Sequence, residues 1–177
     1  MHCCQKEKLI VPMGGYGPAG YRGAREILSF KEADAFDYVV AASGTGTMAA
    51  GLLSSVNKNQ QLVLISAVKN NFSIVQEILK LDESLSTKKD QFRVCFDYHF
   101  GGYAKHNKEL IQFMNSFYLK HTIPTDFIYT GKMAFAFYDL LSKGFFEKGK
   151  RVLLVHSGGL QGNRSLKKGE LHFSILE

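Results

Sequence analysis

Residues 39–51 read Val-Val-Ala-Ala-Ser-Gly-Thr-Gly-Thr-Met-Ala-Ala-Gly: an apolar run that stops at Ser43, then a small-residue stretch that begins near Thr47. Glycines at 44 and 46 let backbone N–H groups come close to an anion. A helix starting at Thr47 would add unpaired donors and a positive dipole end, and the threonine hydroxyls would add more. Ser43, Gly44, Thr45, Gly46 and Thr47 are therefore a candidate phosphate grip. An ordinary glycine-bearing turn fits the same letters. So does a dinucleotide fingerprint, since Gly44, Gly46 and Ala49 match G-x-G-x-x-A. That motif wants an acidic residue about 20 positions later. Lys69 stands in that region, which excludes the usual NAD arrangement and tolerates NADP.

Three further loops carry groups able to do chemistry. Residues 98–103, Tyr-His-Phe-Gly-Gly-Tyr, could present the Tyr103 phenol; His99 and His106 read as solvated loop histidines. Residues 126–132 place Tyr129 and Thr130 just before a helical pattern, where Thr130 also suits a helix N-cap. Residues 156–159, His-Ser-Gly-Gly, offer the Ser157 hydroxyl, or a plain tight turn.

The elements that must position these loops alternate. Apolar runs at 9–12, 38–42, 61–66, 92–96, 127–128 and 151–156 read as strands. Residues 19–29, 47–55, 73–85, 107–119 and 131–143 read as helices, with Ile74, Val75, Ile78, Leu79 and Leu81 near the 3.6 period. Gly144 suits a helix stop. Such alternation predicts an α/β fold, a mostly parallel sheet with helices on both faces, and ligands at the carboxyl ends of strands. The 177 residues are expected to form one domain.

Composition narrows the function classes. There is no apolar run of 18 residues, and residues 1–8 lack the apolar core of a signal peptide. The net charge of +6 comes from scattered basic residues, without the concentrated face of a nucleic-acid reader. Cys3, Cys4 and Cys95 are odd in number and carry no metal-ligand spacing, so free thiols in the cytoplasm and no metal are expected. No place in the fold is assigned to the tail at 164–177.

Taken together, the loops resemble those of the 1-aminocyclopropane-1-carboxylate (ACC) deaminase and D-cysteine desulfhydrase family, pyridoxal 5′-phosphate (PLP) enzymes of fold type II, the tryptophan-synthase-β-like fold. The resemblance covers roughly residues 10–162. It runs in family order through Val11-Pro12-Met13-Gly14-Gly15, the Gly/Thr loop, Gly102-Tyr103 up to Asn107, Tyr129-Thr130-Gly131-Lys132, and His156-Ser157-Gly158-Gly159. It implies that Ser43 to Thr47 hold the PLP phosphate. It also implies that Tyr103 and Tyr129 approach the substrate, that Thr130 and Ser157 lie near the pyridine nitrogen, and that Lys132 is structural. Threonine at 130, where ACC deaminases place a glutamate, resembles the desulfhydrase branch.

The family's Schiff-base lysine lies in an earlier stretch that nothing here matches. This chain is therefore expected to be the large-domain, C-terminal portion of the family architecture and inert alone. The resemblance further implies a small amino-acid substrate converted to a 2-oxo acid and ammonia by a lyase- or hydrolase-type deamination, in a homodimer or in association with the N-terminal part. Two other readings stay open: an NADP-binding oxidoreductase domain, and a non-catalytic remnant that binds phosphate-bearing small molecules.

Overall fold

The computed structural model describes residues 10–173; the expectations for Leu9, Cys3, Cys4, residues 1–8 and the last four residues lie outside the described residues. Four strands, β1 (Tyr38–Ser43), β2 (Gln61–Ser66), β3 (Phe92–Cys95) and β4 (Val152–Val155), form one parallel sheet in the order β3-β2-β1-β4. Five α-helices surround it: α1 (Pro18–Arg25), α2 (Thr47–Ser55), α3 (Ile74–Leu81), α4 (Lys108–His121) and α5 (Thr130–Ser142).

β1 and β2 are apolar at nearly every position because both sheet faces are covered. Successive side chains alternate. Val39, Ala41, Leu62 and Leu64 pack with α1, α2 and α3, whereas Val40, Ala42, Val63 and Ile65 pack with Met133, Ala136 and Leu140 of α5. A third cluster, Leu110, Met114, Phe127 and Phe173, seats α4.

The chain steps from β1 to β2 to β3 in one direction, then crosses through α4 and α5 to β4 on the far side of β1. The connections leaving β1 and entering β4 thus go to opposite faces. Strand ends whose connections diverge in this way leave a crevice at the carboxyl edge of the sheet.

Side chains fix the helix ends. Lys88 donates to the carbonyls of Val56, Ser54 and Leu53 at 2.7, 2.9 and 3.0 Å, closing the carboxyl end of α2. Asn107 Oδ1 accepts from Leu110 N at 2.9 Å, and α5 stops at Gly144, whose φ is +72°. The periodic stretch at 73–85 is α-helical only to Leu81, and after Asp82 the chain continues as a 3₁₀ segment, Glu83–Gln91. Asp82 turns out of the helix, accepts from Ser84 N, and takes a bond from the Tyr21 hydroxyl of α1.

Two expected strands do not form. At residues 10–12, Ile10 and Val11 are exposed, Pro12 has no N–H to give, and the chain enters a 3₁₀ turn at Met13–Gly15. At 127–128 the backbone donors go to side chains: Phe127 N to Asn163 Oδ1, and Ile128 N to Asp126 Oδ1.

α1 and α2 cross closely at Gly51, where a β-carbon would sit 2.6 Å from the Ala24 backbone. Gly51→Val is expected to lower the urea unfolding free energy by about 1–3 kcal/mol through overpacking. Gly23, on the open side of α1 with nothing within 4 Å, should behave oppositely, Gly23→Ala raising stability by roughly 0.5–1 kcal/mol.

Candidate functional site

A cleft of about 480 Å³ opens at the carboxyl ends of β1 and β4. Its walls include Ser43, Gly44, Thr45 and Gly46 after β1, Tyr103, Tyr129, and Ser157 with Gly158 and Gly159 after β4. The four loops singled out by residue type thus converge on one cavity.

The floor is the turn into α2. Gly46, at φ +96°, occupies the N-cap, and among the described residues no side chain accepts from the first N–H groups of the helix. The first-turn N–H groups of α2 therefore have no capping side chain. Ser43 Oγ is buried and has no hydrogen-bond partner among the described residues. A hydroxyl in that condition costs about 1–3 kcal/mol. Beside an uncapped helix N-terminus it marks a position where an anionic oxygen would satisfy several donors at once. A β-carbon at Gly44 would lie 2.9 Å from the Tyr129 hydroxyl, so any side chain there would displace that ring. At Gly46, by contrast, a side chain would point away from the cleft, at Ile74 and Ile78 of α3. Thr45 packs tightly against Gly14, which brings the Met13–Gly15 turn onto the rim.

Two side chains expected to face a ligand do not line the cleft wall. Thr47 is buried behind Thr45, their hydroxyls 3.2 Å apart, so it offers the cleft its backbone position rather than its side chain. Thr130 does not reach the cavity wall. It is fully buried, its hydroxyl donates to Asp126 Oδ2 at 2.6 Å and accepts from Asp126 N at 2.8 Å, and the Asp126 carboxylate takes the Thr130 N–H as well. Asp126, not Thr130, caps α5, accepting also from Ile128 N and Tyr129 N.

The two tyrosines do meet. The Tyr103 and Tyr129 rings lie 6.1 Å apart at 63°. Tyr129 is half-buried, and burial, reinforced by Tyr103 and Asp126, pushes its phenol above the usual tyrosine range. It keeps its proton at neutral pH. Ser157 is exposed at the mouth; its loop is held by His156, whose Nδ1 accepts from Gly158 N at 3.2 Å while Nε2 donates to Pro124 O at 2.9 Å. His99 is not a free solvated group: its Nδ1 accepts from Gly101 N at 2.9 Å and tightens the Tyr103 loop. His106 packs edge-on against Phe127.

Several positioning residues escaped the residue-type reading. Asn71 Nδ2 donates to Gly44 O at 2.9 Å, tying the floor loop to the segment after β2. Asn163 bridges Phe127 N and Thr125 O. The Asn70-Asn71 pair, with Asn70 at φ 58°, was the available signal for the first.

Among the described residues no group of acidic, histidine or cysteine side chains could hold a metal, and no helix is long and apolar enough to cross a membrane.

A Pyrococcus horikoshii protein provisionally named 1-aminocyclopropane-1-carboxylate deaminase is 31% identical over 168 residues, covering 89% of this chain and 51% of that protein. The 1-aminocyclopropane-1-carboxylate deaminase of Bradyrhizobium diazoefficiens is 30% identical over 158 residues, covering 81% and 47%. The crystal structure of an ACC deaminase homologue matches with a TM-score of 0.70 and 29% identity over 86% of this chain and 50% of that one. The chain spans about half the length of the curated relatives it matches. No protein-family model matches.

Ser43→Ala is expected to raise the unfolding free energy of the unliganded protein by roughly 1–3 kcal/mol, since it removes an unsatisfied buried hydroxyl; urea denaturation without phosphate or sulfate in the buffer measures it.

Proposed function

We propose, on the premise that this chain is a relative of the ACC deaminases and has the fold of type II PLP enzymes, that its cleft holds pyridoxal 5′-phosphate beside a small amino-acid substrate. The observation that carries the reading is the buried, unpartnered Ser43 hydroxyl next to the uncapped start of α2. The Ser43 and Thr45 hydroxyls and the backbone N–H groups from Gly44 to Thr47 would hold the phosphate. When bound, the cofactor supplies an electron sink for the carbon bearing the amino group. Tyr129, protonated at neutral pH, can donate its hydroxyl proton into the cleft; Tyr103 beside it and Ser157 opposite border the substrate's side.

No carboxylate lines the cleft among the described residues. A ring nitrogen there would find no anionic partner in these walls, which makes a weaker sink. Such a site suits loss of a good leaving group, so D-cysteine, released as sulfide, ammonia and a 2-oxo acid, is favoured over ACC. No lysine lines the cleft among the described residues either. Lys132 is buried elsewhere and Lys69 is exposed outside the wall, so this chain alone is expected to bind without turning over. A cytosolic homodimer, or association with a lysine-bearing part, belongs to the same reading. The NADP reading finds less support: the Asn71–Gly44 bond spans the gap between the loops after β1 and β2, near where a dinucleotide's ribose would lie.

Equilibrium dialysis with pyridoxine 5′-phosphate, which lacks the aldehyde and cannot attach to surface lysines, tests the cleft. Binding that inorganic phosphate competes for is expected, weakened about tenfold or more in Ser43→Ala, as loss of a hydrogen bond to a charged group implies. Tyr129→Phe should leave that affinity nearly unchanged while lowering turnover of the complete enzyme. No binding, or NADPH binding in its place, would end the PLP reading.

A further inference from the structure

Lys132 lies in the first turn of α5, fully buried, and its ammonium turns away from the cleft. Its Nζ donates to Gly102 O at 2.7 Å, His99 O at 2.8 Å and Ala67 O at 3.4 Å. An ammonium has three N–H donors, and here each finds a carbonyl. The acceptors come from two places: Ala67 directly follows β2, and His99 and Gly102 belong to the loop that presents Tyr103. The helix bearing the lysine begins one residue after Tyr129.

That loop needs an outside hold. Phe100 and Ala104 have positive φ, which is costly for a residue with a β-carbon and persists only where surroundings over-determine it, whereas Gly101 and Gly102 between them adopt positive φ freely. Tyr103 itself is 58% exposed, and its hydroxyl makes no hydrogen bond among the described residues. Its ring is therefore placed by the loop backbone. Burial pulls the Lys132 pKa down to about 8, with Asp126 opposing the shift. Near neutral pH the group still carries its proton and can serve all three acceptors.

We propose that Lys132 is a positioning residue, whose ammonium fastens the 99–103 loop to the start of α5 and so sets the Tyr103 ring against Tyr129 at the mouth of the cleft. The consequence for a substrate rests on the PLP reading above; the placement of the rings does not.

The test compares the full chain with Lys132→Met and Lys132→Gln. Two readouts separate positioning from general support. The first is amide exchange at Gly102 and Lys105, whose N–H groups donate to the same His99 and Gly102 carbonyls. It should speed up about tenfold relative to Val40 and Leu64 in the sheet, equal to about 1.4 kcal/mol of local opening. The second is fluorine NMR of 3-fluorotyrosine-labelled protein, with lines assigned by Tyr103→Phe and Tyr129→Phe. The Tyr103 line should move toward that of a free tyrosine and lose its dependence on Tyr129. Loop amides that merely track the sheet, or unmoved fluorine lines in a folded variant, overturn the proposal. In the unmodified protein, where folding is not at issue, the Lys132 ammonium protons should give a resolved signal with cross-relaxation to Gly102. A lysine exchanging freely with water overturns it equally. Dialysis of pyridoxine 5′-phosphate against the same samples keeps the ideas apart: no binding by the unmodified chain ends the cofactor reading and leaves the loop result standing.

Discussion

Two neighbouring strands, β1 and β4, receive their connections from opposite faces of the sheet, and the site exists because of that divergence. Backbone leaving β1 descends into α2, while backbone leaving β4 turns back toward the start of α5. Neither covers the edge between them. Everything that borders the cleft is hung from this gap: a helix N-terminus on its floor, hydroxyls and phenols on its sides, and glycines wherever backbone must approach backbone or ring. The hydrophobic clusters on the two faces are what hold the strand ends in register around it.

The walls are loops, and loops so close to the core bring their polar backbone groups with them. Three buried side chains absorb these groups. Asp126 collects the donors ahead of α5, Asn163 bridges the strandless segment before it, and Lys132 collects acceptors from two other segments. Each is fully or almost fully buried. Breaking such a contact from one side leaves an unpaired buried group, which is more costly than never having had the pair. The precision of the tyrosine pair is thus inherited from groups that never touch the cavity.

Much of this was legible from residue order. The continuous apolar run at Gln61–Ser66 and the small-residue run at Thr47–Ser55 fix their elements because burial on both faces, and tight packing on Ala24, each demand those residue types. The meeting of Ser43, Gly44, Thr45, Gly46, Tyr103 and Ser157 followed from placing each at or after a strand end; Tyr129 joins them although the strand expected before it does not form. What escaped was direction. Phe127 and Ile128 look like strand residues, but Asp126 and Asn163 had already claimed their amides. Thr130 carries a hydroxyl at the anticipated place in the chain, yet turns it inward to Asp126. Thr47 hides behind Thr45. Residue type gives the donor; only the surrounding hydrogen bonds decide where it points.

The lysine that closes the far end of α2 leaves the two ends of that helix unlike. Helix dipoles attract opposite charge at both termini, and Lys88 already answers the negative one with three carbonyl contacts. The positive terminus is left unanswered, so α2 acts as a one-ended electrode whose open pole is the floor of the cleft. An anion seated at that pole would complete the helix from its other end, with the hydroxyls of the surrounding loops as neighbours.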